Sequence, residues 1–312
     1  MLARSRELPW FPGAILVVLI LTAVFADVLA PHSPTEGDIT TKLIPPLGMT
    51  GGERDHPLGT DRFGRDVLSR IIYGSRISLL VSLVAIGVAG TVGTVLGLIS
   101  GYRGGLTDTI LMRLTDIGLS LPTILIAVVL VAVSEPSFGN VILVIALLLW
   151  PRFARQIRGE TLAIKEQDFV ALAVVAGRSS AWIIRRHIFP NVVPTLLVIA
   201  TLQVGYVILL EGTLSFLGVG VPPPSPAWGL MIADGRGFLA TAWWISLFPG
   251  LAMLLTVLAV NLMGDWLRDH LDPKLRQLGG RAEVLESPAA VSIGHAVDEV
   301  RAPSAPASAD GG

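Results

Sequence analysis

Long runs without a charged side chain divide this sequence, and they constrain its fold more than any other feature. Five such runs cover residues 13–26, 77–102, 117–134, 188–210 and 237–264. Several reach the roughly 20 residues that a helix needs to cross the hydrocarbon core of a membrane. Helices of globular proteins rarely stay uncharged over that length. The chain is therefore predicted to be an integral membrane protein.

The composition agrees with a membrane location. Only 15% of the residues are charged, whereas about one quarter are charged in soluble domains. The net charge of -1 comes without a basic block, which argues against a nucleic-acid partner.

The absence of cysteine excludes a disulfide framework, a thiolate metal site and a cysteine nucleophile. Because Phe25-Ala26-Asp27 lacks a small-x-small cleavage site, the first apolar stretch is predicted to be a retained span, not a signal peptide.

The predicted fold is all-α, with about six transmembrane helices in the lipid bilayer. Spans are predicted near 11–30, 79–101, 110–133, 138–156, 191–215 and 243–265. The chain then divides into an N-terminus at 1–10, a first helix at 11–30, a connecting segment at 31–78, a core domain at 79–266 that contains five spans and a long loop at 157–190, and a tail at 267–312. From about residue 277 the tail is rich in Ala, Ser, Pro and Gly, and it is predicted to be disordered.

The distribution of Lys and Arg predicts the orientation. One side of the predicted topology receives 16 of the 23 basic residues, including seven in 151–190, and the other side receives seven. The positive-inside rule then places both termini in the cytoplasm. Residues 31–78 are accordingly predicted to be extracytoplasmic.

The connecting segment is predicted to end in a short helix. Thr60 or Asp61 is a candidate cap, and residues 65–72 place apolar side chains on one face. Such a helix suits the membrane interface, and packing on the helix bundle is an equal alternative.

Gly93, Gly97 and Gly101 recur every four residues in the second span. This spacing places a strip of small residues on one helix face, where a neighbouring backbone approaches closely. Rigid packing is favoured over sliding.

The long loop on the side with more basic residues contains a predicted docking element. Residues 169–190 predict two short helices that meet at Gly177, which can end the first helix with a positive φ, and Ser179 or Ser180 can cap the second. The second helix is amphipathic and ends in basic residues, and its apolar side chains need a partner surface that the loop does not supply.

This loop resembles the coupling loop of ABC importer permeases, whose pattern is Glu-Ala-Ala, three residues, Gly, a fixed gap and Ile-x-Pro. Gly177, Ile188 and Pro190 match it, and Ala173 matches the second Ala. The Glu and first Ala of the pattern fall on Ala171 and Leu172, so the glutamate is absent. The predicted ATPase-coupling residues are Ala171, Leu172, Ala173, Gly177, Trp182, Ile183, Arg185, Arg186, Ile188 and Pro190.

Further segments resemble the dipeptide and oligopeptide permeases of the C type. They are 56–70, which contains His-Pro-Leu-Gly-Thr-Asp, then 214–220, Trp228-Gly229 and 261–273. The resemblance covers residues 8 to 276 and implies the type I ABC importer permease fold in a bacterial inner membrane. It also implies a second permease subunit that completes a heterodimer, two cytoplasmic ATPase subunits that hold the ATP, and an extracytoplasmic substrate-binding protein. The chain itself is predicted to need no cofactor.

Two acidic residues and the histidines are candidates for other roles. Glu211, near the end of the fifth span, is a possible pore residue or an interfacial residue with a structural partner. Asp116 is predicted in the first turn of the third span, stabilised by the helix N-terminus. The five histidines share no metal-ligand spacing, so no metal site is predicted.

An enzyme is the main alternative class of function. The sequence contains no His-Glu-x-x-His, Gly-x-Ser-x-Gly or Walker A motif, and none of its three lysines follows a glycine, so no catalytic residue is predicted. A passive channel or secondary transporter remains the alternative, although it has no use for a docking loop. A nonfunctional assembly scaffold is a third possibility, and the absent glutamate is the only feature that suggests it. Peptide is the default substrate, alongside nickel complexes or other small solutes.

Overall fold

The computed structural model of the chain describes residues 9–134 and 137–271, and over these residues the fold is helical. Apart from one isolated bridge between Thr60 and Asp66, the regular elements in that part of the chain are helices. Their bounds are α1 Trp10–Val24, α2 Ala26–Leu29, α3 Val67–Arg103, α4 Gly105–Ser120, α5 Thr123–Ser134, α6 Phe138–Lys165, α7 Asp168–Val175, α8 Ser180–Ile183, α9 Phe189–Phe216, α10 Trp228–Gly235 and α11 Trp244–Leu271.

The prediction of an all-α membrane fold is confirmed. Among the described residues, four helices are long and apolar enough to cross a membrane: α3, α6, the joined run Ser180–Phe216, and α11. The pair α4 and α5 passes the same test together, which raises the number to five. The first predicted span corresponds to α1, which has 15 residues and is shorter than the roughly 20 that span hydrocarbon.

The short helix predicted before the second span is not a separate element. Its residues form the first turns of α3, which continues for 37 residues. Neither Thr60 nor Asp61 caps it: Asp66 does, with its carboxylate accepting a hydrogen bond from the Ser69 amide at 2.7 Å. Gly74 lies within the helix. The Trp228 ring packs against it so closely that an added Cβ would lie 2.5 Å from that ring.

The third predicted span is broken in the middle. Helices α4 and α5 meet at an angle of 90°, around Leu121, whose backbone is extended with φ -82° and ψ 140°. Pro122 follows directly, and a proline disfavours helical backbone in the residue before it. The span predicted at 110–133 therefore consists of two helices, which pass the test for a span only as a pair.

The glycine strip of α3 is a packing surface, as its spacing predicted. It lies against α6 so closely that an added Cβ on Gly93 would come 2.6 Å from the Trp150 carbonyl oxygen. A Cβ on Gly101 would come 2.7 Å from the Cβ of Thr161. Close backbone approach of this kind lets two helices associate without a hydrophobic driving force between them.

Helices α3, α5, α6 and α9 enclose the largest apolar core. Val81 and Ala85 of α3 pack there with Ile145 and Phe153 of α6 and with Leu214 of α9. The predicted disordered tail beyond residue 277 and residues 1–8 of the predicted N-terminus lie outside the described residues.

Candidate functional site

Helix α7 ends in a glycine turn that reverses the chain. Gly177 has φ +71°, its amide donates to the Val174 carbonyl at 2.9 Å, and the Arg178 amide donates to the Ala173 carbonyl at 3.2 Å. This pair of bonds is the Schellman pattern, which favours glycine at the left-handed position. The predicted role of Gly177 as a helix terminator is confirmed.

The second helix of the docking element runs directly into the fifth span. Ser179 caps it, because its hydroxyl accepts a hydrogen bond from the Trp182 amide at 3.4 Å. Helix α8 then passes through a wide π turn at Ile184–Ile188 into α9, with Pro190 in the first turn of α9. The helix that was predicted to be separate is thus the N-terminal part of a 37-residue helical run, since the π turn keeps the backbone helical.

Three of the predicted coupling residues anchor the element from inside. Ala173, Ile183 and Ile188 are buried, and they pack with Leu98 of α3 and Ile157 of α6. Helix α7 is therefore fixed on two long helices and on the start of the α8–α9 run at once.

The opposite side of α7 is apolar and exposed. We call Leu172, Val174 and Val175 the docking face; their side chains are 69%, 55% and 85% exposed. Ala171 and Gly177 beside it are exposed too. On globular proteins, contiguous exposed apolar side chains mark surfaces that bind a partner.

An aromatic and basic group borders the docking face. His187 lies between Phe169 and Trp182, with ring centroids 5.7 and 5.1 Å apart. The Arg178 guanidinium lies 4.9 Å over the Trp182 ring. Arg185, Arg186 and Pro190 are exposed, and Trp182 is 38% exposed. All ten predicted coupling residues therefore lie either on this exposed surface, which holds seven of them, or in the buried anchor, which holds three.

A buried ionic network connects the connecting segment to the last third of the chain. Asp61 accepts from the Arg65 Nε at 2.7 Å, and both side chains are more than nine-tenths buried. Arg65 and Arg62 also reach Asp234 of α10, at 3.4 and 2.8 Å. The indole of Trp244 donates to the Thr60 carbonyl at 3.1 Å. The sequence motif at 56–70 thus holds a loop against α10 and α11.

Glu211 lies inside the chain rather than on its surface. Its side chain is fully buried, and its Oε1 accepts a hydrogen bond from the Ser215 hydroxyl at 2.6 Å. The Ser215 oxygen in turn accepts from the Val221 amide at 3.2 Å. These contacts match the structural alternative; the pore role stays a prediction.

Asp116 does not lie at a helix N-terminus. Because the third span begins at Gly105 and bends at Pro122, Asp116 falls in the last turns of α4 and pairs there with Arg155 of α6 at 2.5 Å. About two helical turns earlier in α4, Asp108 pairs with Arg158 of α6. Two arginines in the second half of α6 thus bind acidic residues of α4.

Comparison with known proteins agrees with this geometry. Residues 93–277 match the family of binding-protein-dependent transport system inner membrane components. Residues 4–46 match the N-terminal transmembrane domain of oligopeptide transport permease C.

Individual relatives cover most of the chain. The dipeptide transport system permease protein DppC of Haemophilus influenzae is 44% identical over 85% of this chain and 90% of its own length. The dipeptide permease DppC of Escherichia coli K12 is 47% identical over 85% of this chain and 89% of its own. The probable D,D-dipeptide permease DdpC of the same strain is 41% identical over 84% and 86%. The chain belongs to the family of inner membrane permease subunits of binding-protein-dependent ABC importers.

Proposed function

We propose that this chain imports dipeptides or oligopeptides as one half of a heterodimeric translocation pore. Relatives at 41% to 47% identity are named as dipeptide permeases, and this supports peptide over nickel complexes. In this proposal both termini and the 157–190 loop face the cytoplasm, where two separate ATPase subunits bind. A substrate-binding protein delivers peptide on the opposite side.

The docking face carries the coupling part of the proposal. Leu172 and Val175 present apolar surface to solvent, while Ala173, Ile183 and Ile188 fasten the same short segment to α3, α6 and α9. An ATPase that covers Leu172 and Val175 would bury that surface and stabilise the complex. Because the anchor is buried, displacement of the face would be transmitted to the long helices.

The absent glutamate of the coupling pattern affects the strength of docking. With Ala171 and Leu172 at the first two positions, the contact would rest on apolar burial, supported by Arg185 and Arg186. We therefore expect ATPase binding to depend weakly on salt, since apolar contacts are not screened.

Copurification tests the docking face. The chain is coexpressed with its candidate partner permease and ATPases, and wild type is compared with Leu172→Asp combined with Val175→Asp. The matched control is Leu47→Asp, which changes an exposed leucine of the connecting segment. Wild type and control should retain the ATPases, and the double variant should lose at least about tenfold of them, because burying an unpaired carboxylate is costly. Equal recovery from all three would overturn the proposal.

Uptake by proteoliposomes tests the mechanism and the substrate. A labelled dipeptide should accumulate only when the ATPases, ATP and the binding protein are present. Uptake down a gradient without ATP would favour the passive channel or secondary transporter instead.

A further inference from the structure

Two histidines that are far apart in sequence lie side by side in the structure. His32 follows α2, and His56 lies 24 positions later in the connecting segment; their ring centroids are 4.7 Å apart at an angle of 33°. Asp66, the cap of α3, lies against the same pair, with Oδ1 3.0 Å from the Nδ1 of His56. The sequence predicted no such arrangement.

The three side chains present converging ligand atoms. One imidazole nitrogen from each histidine and one carboxylate oxygen of Asp66 all lie within 4.8 Å of one another. Ligand atoms around a tetrahedral ion with bonds of about 2.0–2.1 Å are about 3.3 Å apart. Small side-chain rotations therefore bring the three atoms onto one ion.

The carboxylate is already oriented for this role. Its Oδ2 accepts hydrogen bonds from the amide and the hydroxyl of Ser69, both at 2.7 Å, which leaves Oδ1 for His56 or an ion. The Ser69 hydroxyl also accepts from the His32 amide at 3.0 Å. One serine thus fixes the position of both the carboxylate and the backbone of His32, in the way that outer hydrogen bonds support metal ligands.

Access and protection are both present. Asp66 and His56 are shielded, with side chains 0% and 11% exposed, whereas His32 is exposed and can admit an ion from solvent. Two imidazoles and one carboxylate suit Zn²⁺, Ni²⁺ and similar ions, and not Mg²⁺ or Ca²⁺, which prefer oxygen ligands.

We propose that His32, His56 and Asp66 form a binding site for a borderline divalent metal ion, with Zn²⁺ the expected occupant. Three protein ligands leave a fourth position for water. The ion would fasten the loop after α2 to the first turn of α3, so its bonds would add to the stability of the connecting segment.

The test is a Zn²⁺ titration of the full chain in detergent, purified without a polyhistidine tag and treated with a chelator. Isothermal titration calorimetry should give one Zn²⁺ per chain, undisturbed by excess Mg²⁺. His32→Gln and His56→Gln should each weaken binding at least about tenfold, and Asp66→Asn should do likewise while still capping α3, since Asn is as good a cap as Asp. His187→Gln, which changes a histidine that contacts Phe169 and Trp182 instead of this cluster, should leave the affinity unchanged.

Thermal unfolding provides a second readout that does not depend on the buried variants. Zn²⁺ should raise the melting temperature of wild type, because a ligand that binds only the folded state stabilises it. The rise should vanish in His32→Gln, whose exposed side chain can change without disturbing packing. The site would be overturned if wild type bound no stoichiometric Zn²⁺, or if the three cluster variants bound it with the affinity of wild type.

Discussion

Gly97 of α3 lies so close to Ala154 of α6 that a methyl group at position 97 would come within 2.7 Å of the Ala154 carbonyl oxygen. Gly87 lies on the same helix, and a methyl group there would meet nothing within 4 Å. The two glycines form a matched pair that separates packing from helix propensity.

Gly97→Ala should lower the free energy of unfolding by about 1–3 kcal/mol, because the added methyl group forces α3 and α6 apart. Gly87→Ala should be neutral or stabilising by up to about 1 kcal/mol, because alanine favours helix over glycine. Thermal unfolding in detergent measures both. Equal effects of the two changes would show that α3 and α6 do not depend on this contact.

Asp61→Ala should be among the most destabilising changes in the connecting segment. It leaves Arg65 buried without its closest carboxylate, and loss of one partner of a buried pair costs about 3–5 kcal/mol. Arg62→Ala removes a partly exposed partner of Asp234 and should cost at most about 1 kcal/mol. Denaturant titration measures both variants. A small effect of Asp61→Ala would mean that Asp234, water or a partner subunit satisfies Arg65.

Ile188→Ala should weaken the anchor of the docking element. The side chain is fully buried, so its truncation should cost about 2–5 kcal/mol. Leu172→Ala, at an exposed position, should change stability by less than about 0.5 kcal/mol while it weakens ATPase binding. The reverse pattern, a stable Ile188→Ala and an unstable Leu172→Ala, would mean that the two faces of the element have been assigned the wrong way round.

Glu211→Gln should leave both stability and transport close to wild type. Glutamine keeps a carbonyl oxygen that can accept the Ser215 hydrogen bond, so we expect a change within about 1 kcal/mol. Glu211→Ala leaves a cavity and a buried hydroxyl without its acceptor, and it should cost at least about 2 kcal/mol. Unfolding and dipeptide uptake are measured side by side. A stable Glu211→Gln chain that no longer transports would support the pore role.

Single cysteines can report the sidedness of the chain, because the natural sequence contains none. Leu47→Cys and Val175→Cys change exposed positions in the connecting segment and in the docking face. In intact cells with a permeable outer membrane, an impermeant maleimide should label Leu47→Cys. It should reach Val175→Cys only after lysis. Labelling in the opposite order would reverse the proposed topology.

The sequence contained the local features of the fold but not the long-range ones. The spacing of Gly93, Gly97 and Gly101 predicted a packing strip, because helical periodicity is a local property. The turn at Gly177 was also predictable, because a glycine's preference for positive φ is local too. The bend at Pro122 was missed, although the proline itself is a local signal for it. That α3 is one continuous helix was not predicted, because charged residues in its first turns suggest a short helix separate from the second span.

The side-chain clusters depend on tertiary contacts that spacing does not reveal. His32 and His56 meet because the connecting segment folds back on the start of α3, and Arg65 meets Asp234 across 169 positions. The burial of Glu211 follows likewise from packing around α9. Its position near the end of a span allowed both a pore role and a structural one.

The docking element lies at the beginning of the continuous helical run from Ser180 to Phe216. At about 1.5 Å per residue, its 37 residues extend roughly 55 Å. Ile183 and Ile188 fasten the docking element within its first turns, and Glu211 and Ser215 lie near its far end. In the proposed coupling mechanism, a rotation of a few degrees imposed at the basic end would displace the far end by several ångströms, and no relay of side chains would be needed to carry the movement along the helix.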